Sequence, residues 1–345
     1  MGARRLAQLE QAFGDAAAAW AAPAAALAAL PGFGPMLLTR IEATRSWPAP
    51  KVPPRVLLAG DPALPRAMAA LPHPPIHLFW AGRGSLWPRL GQRRAIAVVG
   101  SRGASPQGRG FARRLGAALG AAGWPVVSGL AEGIDAAVHR GCLAAGGTPI
   151  GVLGTPLERV YPLHHRELQE QVQRQGLLLS EQSPGATGRA SAFAARNRLI
   201  VALVAGVVLV ECPAVSGALA AATQAWADGL PLWVVPADVD REGAAGSNRW
   251  LTLGASPLCS PDALVALLGP GPCPPARGAS CHGQAAQAAS PLQHDLLRAC
   301  GQPCTLQALA TITRQPLAGL LEQLLGLEKD SQLLRLPGPR WVRCA

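Results

Sequence analysis

Residues 95–122, AIAVVGSRGASPQGRGFARRLGAALGAA, contain the pattern that decides the fold. Five apolar residues, Ala95–Val99, precede a Gly-rich turn and then a stretch with helical periodicity at about 107–122. An apolar run without polar alternation predicts a strand that is buried on both faces. A buried strand, a tight turn and a helix together form the first unit of a parallel α/β sheet.

The same alternation of strand and helix continues to residue 235. The sequence predicts further strands at 125–127, 149–153, 177–180, 207–210 and 232–235, and helices at about 134–145, 164–175, 193–203 and 217–227. Apolar strands that alternate with helices of this length predict a doubly wound parallel sheet with helices on both faces. We therefore expect an extended Rossmann-like α/β domain over residues 95–269.

Smaller regions flank this domain. Residues 1–47 predict an N-terminal helical domain, in which Leu30-Pro-Gly-Phe-Gly-Pro35 separates two helices. That turn resembles a helix-hairpin-helix or SAM-like region that could hold a phosphate, although we favour a plain helix–helix turn. Residues 48–94 form a Pro-rich connecting region leading into the sheet domain, with one candidate strand at 76–80.

The C-terminal part of the chain predicts a linker and a third domain. Residues 270–289 are rich in Pro and Gly and indicate a linker. Residues 290–345 predict three helices, the last at 317–329, and a strand pair around Pro337-Gly338-Pro339. This order is typical of a winged-helix-like domain.

Composition restricts the partners and the location. The formal net charge of +11 favours an acidic partner such as nucleic acid, nucleotide or anionic membrane. Only Lys51 and Lys329 are lysines, however, so an arginine-rich composition explains the charge equally well. The longest charge-free apolar run, Leu199–Val210, is too short to cross a bilayer. We expect a cytoplasmic protein with no membrane partner.

Metal and disulfide sites are not expected. The eight cysteines are scattered and contain no CxxC pair, although Cys300 and Cys304 lie close together. This spacing does not match a typical zinc site. Reduced thiols are the default for cysteines used in this way.

Ligands of open parallel sheets bind at the carboxyl ends of the strands. Small residues at these ends would let an anion reach backbone N–H groups. They are Gly100, Ser101, Ser128, Gly129, Gly154, Ser216, Gly217 and Asn248. Arg102 adds a bidentate phosphate donor. Phe193, Arg196, Asn197 and Arg198 form a second cluster that suits a backbone phosphate and a stacked base. We predict one phosphate-bearing ligand at these thirteen residues.

Several enzyme and cofactor classes are excluded by their missing motifs. The turn at Gly100–Gly103 lacks the dinucleotide fingerprint, and the second strand ends in Ser128 rather than in an acidic residue. Neither a Walker A sequence nor G-x-S-x-G is present. Asp135 and His139 lie one helical turn apart with no nucleophile placed beside them. We expect no cofactor, no metal and no catalytic residue.

Together these residues resemble the DNA-processing protein A family (DprA, also called Smf). The resemblance covers about residues 95–268. It rests on Val98–Arg102, Val127–Asp135 with His139, Tyr161-Pro162, Ser180-Glu181, Phe193-x-x-Arg196-Asn197-Arg198, Val210-Glu211 with Ser216-Gly217, and Gly246–Asn248. It implies a homodimer that binds single-stranded DNA and loads a RecA-type recombinase onto it during natural transformation, without enzymatic activity.

The resemblance also implies residue roles. Gly100, Ser101 and Arg102 would bind phosphate, and Ser128 and Gly129 would line the same pocket. Arg196 and Arg198 would hold the DNA backbone, with Asn197 as a brace and Phe193 as a stacking ring. Ser216 and Gly217 would close the pocket.

The sequence departs from the family pattern at four positions. Ala194 stands where the family usually has Pro, and Ala237 stands where it has Gly. Ala218 and Ala221 replace two hydroxyl residues. Each lost hydrogen bond is worth about 1 kcal/mol. These changes affect the rim of the predicted pocket rather than the fold.

Two other functions remain as alternatives. Phosphoribohydrolases that cleave nucleoside monophosphates have a related fold, but they carry a Gly-Gly-x-Gly-Thr-x-x-Glu loop. Here Gly146-Gly147 is followed by Thr148-Pro149, so the loop is missing. The tail could instead read duplex DNA as a regulator. Its candidate recognition helix at 317–329 has two acidic residues and one basic residue, which does not suit a major-groove reader.

Overall fold

The computed structural model describes residues 3–48, 53–187 and 190–273, and in the tail 291–300, 302, 304–313, 315, 319–321, 323–324, 327, 333–336 and 340–343. The chain divides into two compact units, Met1–Ser280 and Cys281–Ala345. Across the described residues, no helix combines the length and the apolarity that a membrane crossing requires.

The N-terminal region is helical, as the sequence predicts. Its helices are α1 (Ala3–Phe13), α2 (Ala16–Ala21), α3 (Ala24–Ala28) and α4 (Pro35–Arg45). The Asp15 carboxylate caps α2 by accepting a hydrogen bond from the Ala18 N–H at 2.7 Å. Phe33, from the turn before α4, is buried with Leu9, Leu27 and Ile41 in a small core. The helix-hairpin-helix interpretation of this turn stays a prediction.

A nine-stranded sheet forms the centre of the first unit. Its strands are β1 (Val56–Leu58), β2 (His77–Gly82), β3 (Ile96–Val99), β4 (Val126–Ser128), β5 (Pro149–Leu153), β6 (Leu177–Ser180), β7 (Gly206–Leu209), β8 (Leu232–Val234) and β9 (Ser256–Pro257). The order across the sheet is β1-β2-β6-β5-β4-β3-β7-β8-β9. Strands β3 to β9 pair in parallel, and β2 is antiparallel to β1 and β6. The predicted large, mostly parallel sheet is confirmed.

Two parts of the sheet depart from the prediction. The segment 48–94, expected as a connecting region with one candidate strand at 76–80, contributes β1 as well as β2 to the sheet. The second difference is β9, for which the sequence predicts no strand. β1 and β9 are two or three residues long and lie at the two edges, where Pro is tolerated and no apolar run is needed.

Helices cover both faces of the sheet. They are α5 (Arg66–Ala69), α6 (Trp87–Gly91), α7 (Pro106–Ala121), α8 (Ile134–Ala144), α9 (Arg166–Gln175), α10 (Ala190–Ala195), α11 (Asn197–Ala202), α12 (Ala218–Ala227), α13 (Ala245–Thr252) and α14 (Pro261–Leu268). Alternate residues of β3 enter different cores: Ala97 and Val99 pack with α11 and α12, and Ile96 and Val98 pack with α7. This alternation makes the fold doubly wound.

The sheet unit continues past its predicted end at residue 269. Gly271 N–H donates to the Ala122 carbonyl at 2.7 Å, and Cys273 N–H donates to the Gly123 carbonyl at 2.9 Å. The Cys273 side chain is buried. Residues 270–273 of the predicted linker are therefore packed against the end of α7, and residues 274–289 lie outside the described residues.

The second unit contains α15 (Pro291–Ala299), β10 (Cys304–Thr305), α16 (Leu306–Thr313), β11 (Leu333–Leu336) and β12 (Arg340–Arg343). The strands form an antiparallel sheet in the order β10-β12-β11. Described residues at 319–321, 323, 324 and 327 are helical, while both ends of the predicted helix 317–329 and the turn 337–339 lie outside the described residues. The winged-helix assignment stays a prediction.

Candidate nucleic-acid interface

A cavity of about 380 Å³ opens at the carboxyl end of β3, where the strand order reverses. Such a switch point is the usual ligand site of open α/β sheets. Eight of the thirteen predicted residues line it: Gly100, Ser101, Arg102, Phe193, Arg196, Asn197, Ser216 and Gly217. The fold thus brings together residues that lie more than 110 positions apart in the chain.

Arg102 and Phe193 both line this cavity and contact each other. The Arg102 guanidinium carbon lies 5.3 Å from the centroid of the Phe193 ring, and Arg102 is exposed. The Tyr161 ring lies next to the Phe193 ring, with 5.1 Å between the two ring centroids. A cation over one ring, with a second ring alongside, can bind a phosphate and stack a base at the same place.

Ser101 is held by its neighbours. Its N–H donates to the Glu211 carbonyl at 2.6 Å, and its own carbonyl accepts from the Ile134 N–H at 3.2 Å. Its hydroxyl accepts from the Gly103 N–H at 3.2 Å. Since the Ser101 backbone is used within the protein and its hydroxyl oxygen accepts from Gly103, the hydroxyl O–H is the group that can still donate to a ligand.

Arg196 forms the floor of the cavity and is buried. Its Nη1 donates to the carbonyls of Gly129 and Val152, and its Nε donates to Asn197 Oδ1 at 3.2 Å. Its Nη2 lies 3.7 Å from Asp135 Oδ2. The guanidinium is therefore committed to the protein rather than free for a DNA backbone.

Burial is the main cause of the pKa shifts of Asp135 and Arg196. Burial raises the pKa of Asp135, and the positive charge of Arg196 opposes that shift. Burial likewise lowers the pKa of Arg196, against the attraction of Asp135. Asp135 also accepts the Gly129 N–H at 3.1 Å. The pair ties the loop after β4 to the start of α11.

Arg198 lies outside the cavity. Its Nη2 donates to both carboxylate oxygens of Glu181, at 2.6 and 2.8 Å. The carbonyl of Glu181 is hydrogen-bonded to His77 Nε2 at 2.9 Å. Arg198 therefore fixes the end of β6 near β2 through its ion pair with Glu181, while its Nη1 is buried without a hydrogen-bond partner among the described residues.

The remaining four predicted residues lie outside the lining of this cavity. The buried Ser128 hydroxyl donates to the Val98 carbonyl at 2.7 Å. A Cβ at Gly129 would lie 2.0 Å from the Arg196 guanidinium, and a Cβ at Gly154 would lie 2.7 Å from the Phe193 ring. Both glycines make room for a site side chain. The Asn248 amide pairs with both backbone polar groups of Ala237.

The amino end of α12 forms the opposite wall. Asn197 Nδ2 donates to the Gly217 carbonyl at 2.8 Å, and Ser216 Oγ accepts from the Ala218 N–H at 3.3 Å. Of the four departures from the family pattern, Ala194 and Ala218 line this cavity, whereas Ala221 is buried in the core. A hydroxyl at position 221 would therefore face the core rather than a ligand.

Glu211 has a role that sequence reasoning did not assign. Its carboxylate accepts the N–H of Ser105 at 3.1 Å and the Ser105 hydroxyl, directly at the start of α7. Glu211 is buried, and Arg241 lies 3.9 Å away. The helix end that holds phosphate in many Rossmann-like folds is thus already occupied by a carboxylate.

Sequence reasoning also missed Tyr161 and Asp135 as site residues. Both belong to motifs that were recognised, but a motif does not show that Asp135 lines the cavity or that the Tyr161 ring lies beside Phe193. Among the described residues, no cluster of three His, Cys, Asp or Glu side chains could hold a metal ion.

Comparison with known proteins now gives the family. The model of the family described as "DNA recombination-mediator protein A" matches residues 55–269, well over half of the chain. The chain belongs to this family. The resemblance inferred from the sequence is confirmed, and the matched range begins one residue before β1.

Members of the family with curated names include "Protein Smf" of Synechocystis sp., which is 35% identical over 259 residues, covering 73% of this chain and 65% of that protein. "DNA processing protein DprA" of Bacillus subtilis is 33% identical, covering 54% of this chain and 62% of that protein. The match thus spans less than two thirds of the length of these two relatives.

Two solved structures of family members share the fold. DNA processing protein A from Streptococcus pneumoniae has a TM-score of 0.59 and 30% identity, covering 68% of this chain and 82% of that one. The protein from Helicobacter pylori has a TM-score of 0.54 and 28% identity, covering 59% of this chain and 92% of that one. The latter structure concerns a single-stranded DNA binding mode.

Proposed function

We propose that this family member binds single-stranded DNA in the cavity at the end of β3. The observation that carries the proposal is the exposed Arg102 guanidinium over the Phe193 ring, at the mouth of that cavity. Arg102 would contact a backbone phosphate, and Phe193 and Tyr161 would stack bases. Stacking of this kind is tolerant of sequence because every base has a π face.

The two arginines of the Arg196-Asn197-Arg198 motif act indirectly in this proposal. Arg196 shapes the floor through Gly129, Val152 and Asp135, and Arg198 fixes the end of β6 through Glu181. Asn197 braces the wall through the Gly217 carbonyl. The cation that meets DNA is Arg102.

The family resemblance supports a wider role. We propose that the chain acts as a homodimer in the cytoplasm and loads a RecA-type recombinase onto the bound strand during natural transformation. It would do so without catalysis and without a cofactor. The names of the relatives as DNA processing proteins, and the mediator family that matches residues 55–269, support this proposal.

A nucleotide-cleaving enzyme is the less favoured function. A mononucleotide phosphate at the start of α7 would meet the buried Glu211 carboxylate, since that carboxylate already takes the N–H and hydroxyl of Ser105. Like charges in such a place are unfavourable. The geometry therefore favours a strand that lies along the mouth of the first cavity.

The proposed function is tested by fluorescence anisotropy with a labelled single strand and its duplex over a salt series. The wild-type protein should prefer the single strand, with an affinity that falls as salt rises. Arg102→Ala should weaken binding and lower the salt slope by about 0.7, the contribution of one phosphate contact on a single strand. Arg174→Ala, on the exposed last turn of α9, is the matched control and should change nothing. Equal binding by wild-type and Arg102→Ala protein would contradict the assignment.

A further inference from the structure

A second cavity, of about 310 Å³, lies between the amino end of α7 and the carboxyl ends of β7 and β8. None of the thirteen predicted residues lines it. Asn248 fixes the position of the lining residue Ala237, because its side-chain amide forms hydrogen bonds with the N–H and the carbonyl of Ala237. The cavity thus has a wall that is fixed by hydrogen bonds.

The walls of this cavity combine flat apolar surface with polar groups. Phe111, Val210 and Val235 supply the apolar part. The Arg114 guanidinium carbon lies 5.8 Å from the Phe111 ring centroid, and Arg241 reaches to 3.9 Å from Glu211. The cavity thus has a buried carboxylate at its wall, and two arginines and the exposed Asp238 among its other lining residues. The apolar part suits a nucleobase inside, and the two arginines suit phosphates outside.

The two cavities are neighbours along one short loop. Gly103 lines the first cavity and Ser105 lines the second. Two residues of extended backbone span about 7 Å at most. Consecutive parts of one single strand can therefore reach both cavities.

Charge favours the same path. Helix α7 carries Arg109, Arg113 and Arg114 and contains no acidic residue. All three of these arginines are exposed. A DNA strand that runs from Arg102 past Gly103 and Ser105 meets further cations, and no carboxylates, on the first turns of α7.

We propose that the second cavity receives another base of the DNA strand that is bound at Arg102 and Phe193. This inference rests on the proposed function. The Glu211 carboxylate has acceptor capacity beyond its bonds to Ser105, since an ionised carboxylate offers about four lone-pair sites. It accepts a hydrogen bond from an exocyclic amino group, so the cavity favours cytosine over thymine, which has no such donor.

The experiment compares strands of two lengths with the full chain. Anisotropy is measured with oligothymidylate and oligocytidylate of about 2 nucleotides, whose bases stack on Phe193 and Tyr161 at the first cavity, and of about 15 nucleotides, which reach both cavities. The wild-type protein should prefer cytosine only with the long strand. The variant Arg114→Ala with Arg241→Ala should bind the long strand about tenfold more weakly and with a lower salt slope, and should bind the short strand normally.

A variant that fills the cavity tests the base itself. Ala237→Phe enlarges a side chain that lines the cavity while Glu211 and Ser105 stay unsubstituted, and should abolish the preference for cytosine. Arg174→Ala is again the control, and circular dichroism confirms that each variant is folded. Unchanged long-strand binding in the arginine variant would overturn the proposal. Weaker binding without a length-dependent cytosine preference would also overturn it, because phosphates alone would then explain the effect. Loss of short-strand binding in Arg102→Ala separately tests the first cavity.

Discussion

At the scale of single residues, the three arginines of the predicted site have three different environments. Arg102 is exposed over Phe193, Arg198 pairs with Glu181, and Arg196 is buried beside Asp135. The sequence predicted all three as phosphate donors because residue type and motif do not report burial. The distinction comes from the carbonyls of Gly129 and Val152, which are placed by strands far away in the chain.

We predict that Arg196→Ala destabilises the fold. The substitution leaves the buried Asp135 carboxylate without its partner, and removing one member of a buried pair costs about 3–5 kcal/mol. Urea unfolding followed by tryptophan fluorescence measures the loss. Arg102→Ala, at an exposed position, serves as the control and should unfold as the wild type does. An Arg196→Ala protein of wild-type stability that no longer binds DNA would instead make Arg196 a direct ligand contact.

Acid should destabilise the fold through His139. Burial lowers the pKa of this histidine to about 4, whereas the unfolded chain titrates near the ordinary value of about 6.5. The unfolded state thus binds more protons between these values, and stability falls there by about 1.4 kcal/mol for each unit of pH lost. Urea titrations between about pH 7 and pH 4 measure how the free energy of unfolding changes with pH. This slope should be smaller for His139→Gln than for the wild type.

The exposed His73 provides the control for that measurement. His73→Gln should leave the slope as in the wild type, because this side chain is exposed. Burial also lowers the pKa of His165, so part of the slope should remain in His139→Gln. A wild-type slope in His139→Gln would refute the role of His139.

At the scale of elements, the sequence predicts the interior of the sheet better than its edges. The predicted strands at 149–153 and 177–180 have the observed bounds, and the others differ by a residue or two at either end. These strands are buried on both faces and are apolar except for Ser128 and Ser180 at their carboxyl ends. The edge strands β1 and β9 are held by pairing to one neighbour only, so their composition carries little signal.

The amino end of α7 shows how one element shapes the site. Ser105 caps the helix by accepting the Gly108 N–H at 3.0 Å, and Glu211 accepts both polar groups of Ser105. The spacing of residues in the sequence reveals neither the Ser105 cap nor its hydrogen bonds to Glu211, since Glu211 follows a different strand, β7. The cap keeps the loop 101–104 in place between the two cavities.

We predict that Ser105→Ala lowers the free energy of unfolding by about 1 kcal/mol, the usual value of a helix N-cap. Ser105→Thr keeps a hydroxyl at the same place and should restore most of the loss. Chemical denaturation of both variants measures the difference. Equal stability of the Ala and Thr variants would show that the cap contributes nothing.

At the scale of the whole molecule, the distribution of charge requires that the site bind DNA through charged side chains in its immediate surroundings. Residues 95–270 contain nearly equal numbers of basic and acidic groups, so the part of the sheet domain that contains the site has little net charge. The salt slope of DNA binding should therefore correspond to a few phosphate contacts. A composition-based expectation of nucleic acid binding could not have located those contacts.

The limits of the first unit give a further prediction. A chain that ends after Cys273 should fold and bind DNA, whereas a chain that ends after Gly269 should be less stable. The shorter chain loses the hydrogen bonds of Gly271 and Cys273 to the end of α7 and uncovers buried surface. Thermal unfolding of the two chains measures the difference. Equal thermal stability of the two chains would instead support a linker that begins at residue 270, as the sequence predicts.

The measurement that tests the central claim most directly is photocrosslinking of a single strand that carries 5-iodouracil, followed by mass spectrometry of the linked peptides. The account predicts adducts on the stacked rings Phe193 and Tyr161, and their loss when unlabelled single strand competes. Adducts confined to the N-terminal helices or to residues beyond 290, with none at the end of β3, would contradict it.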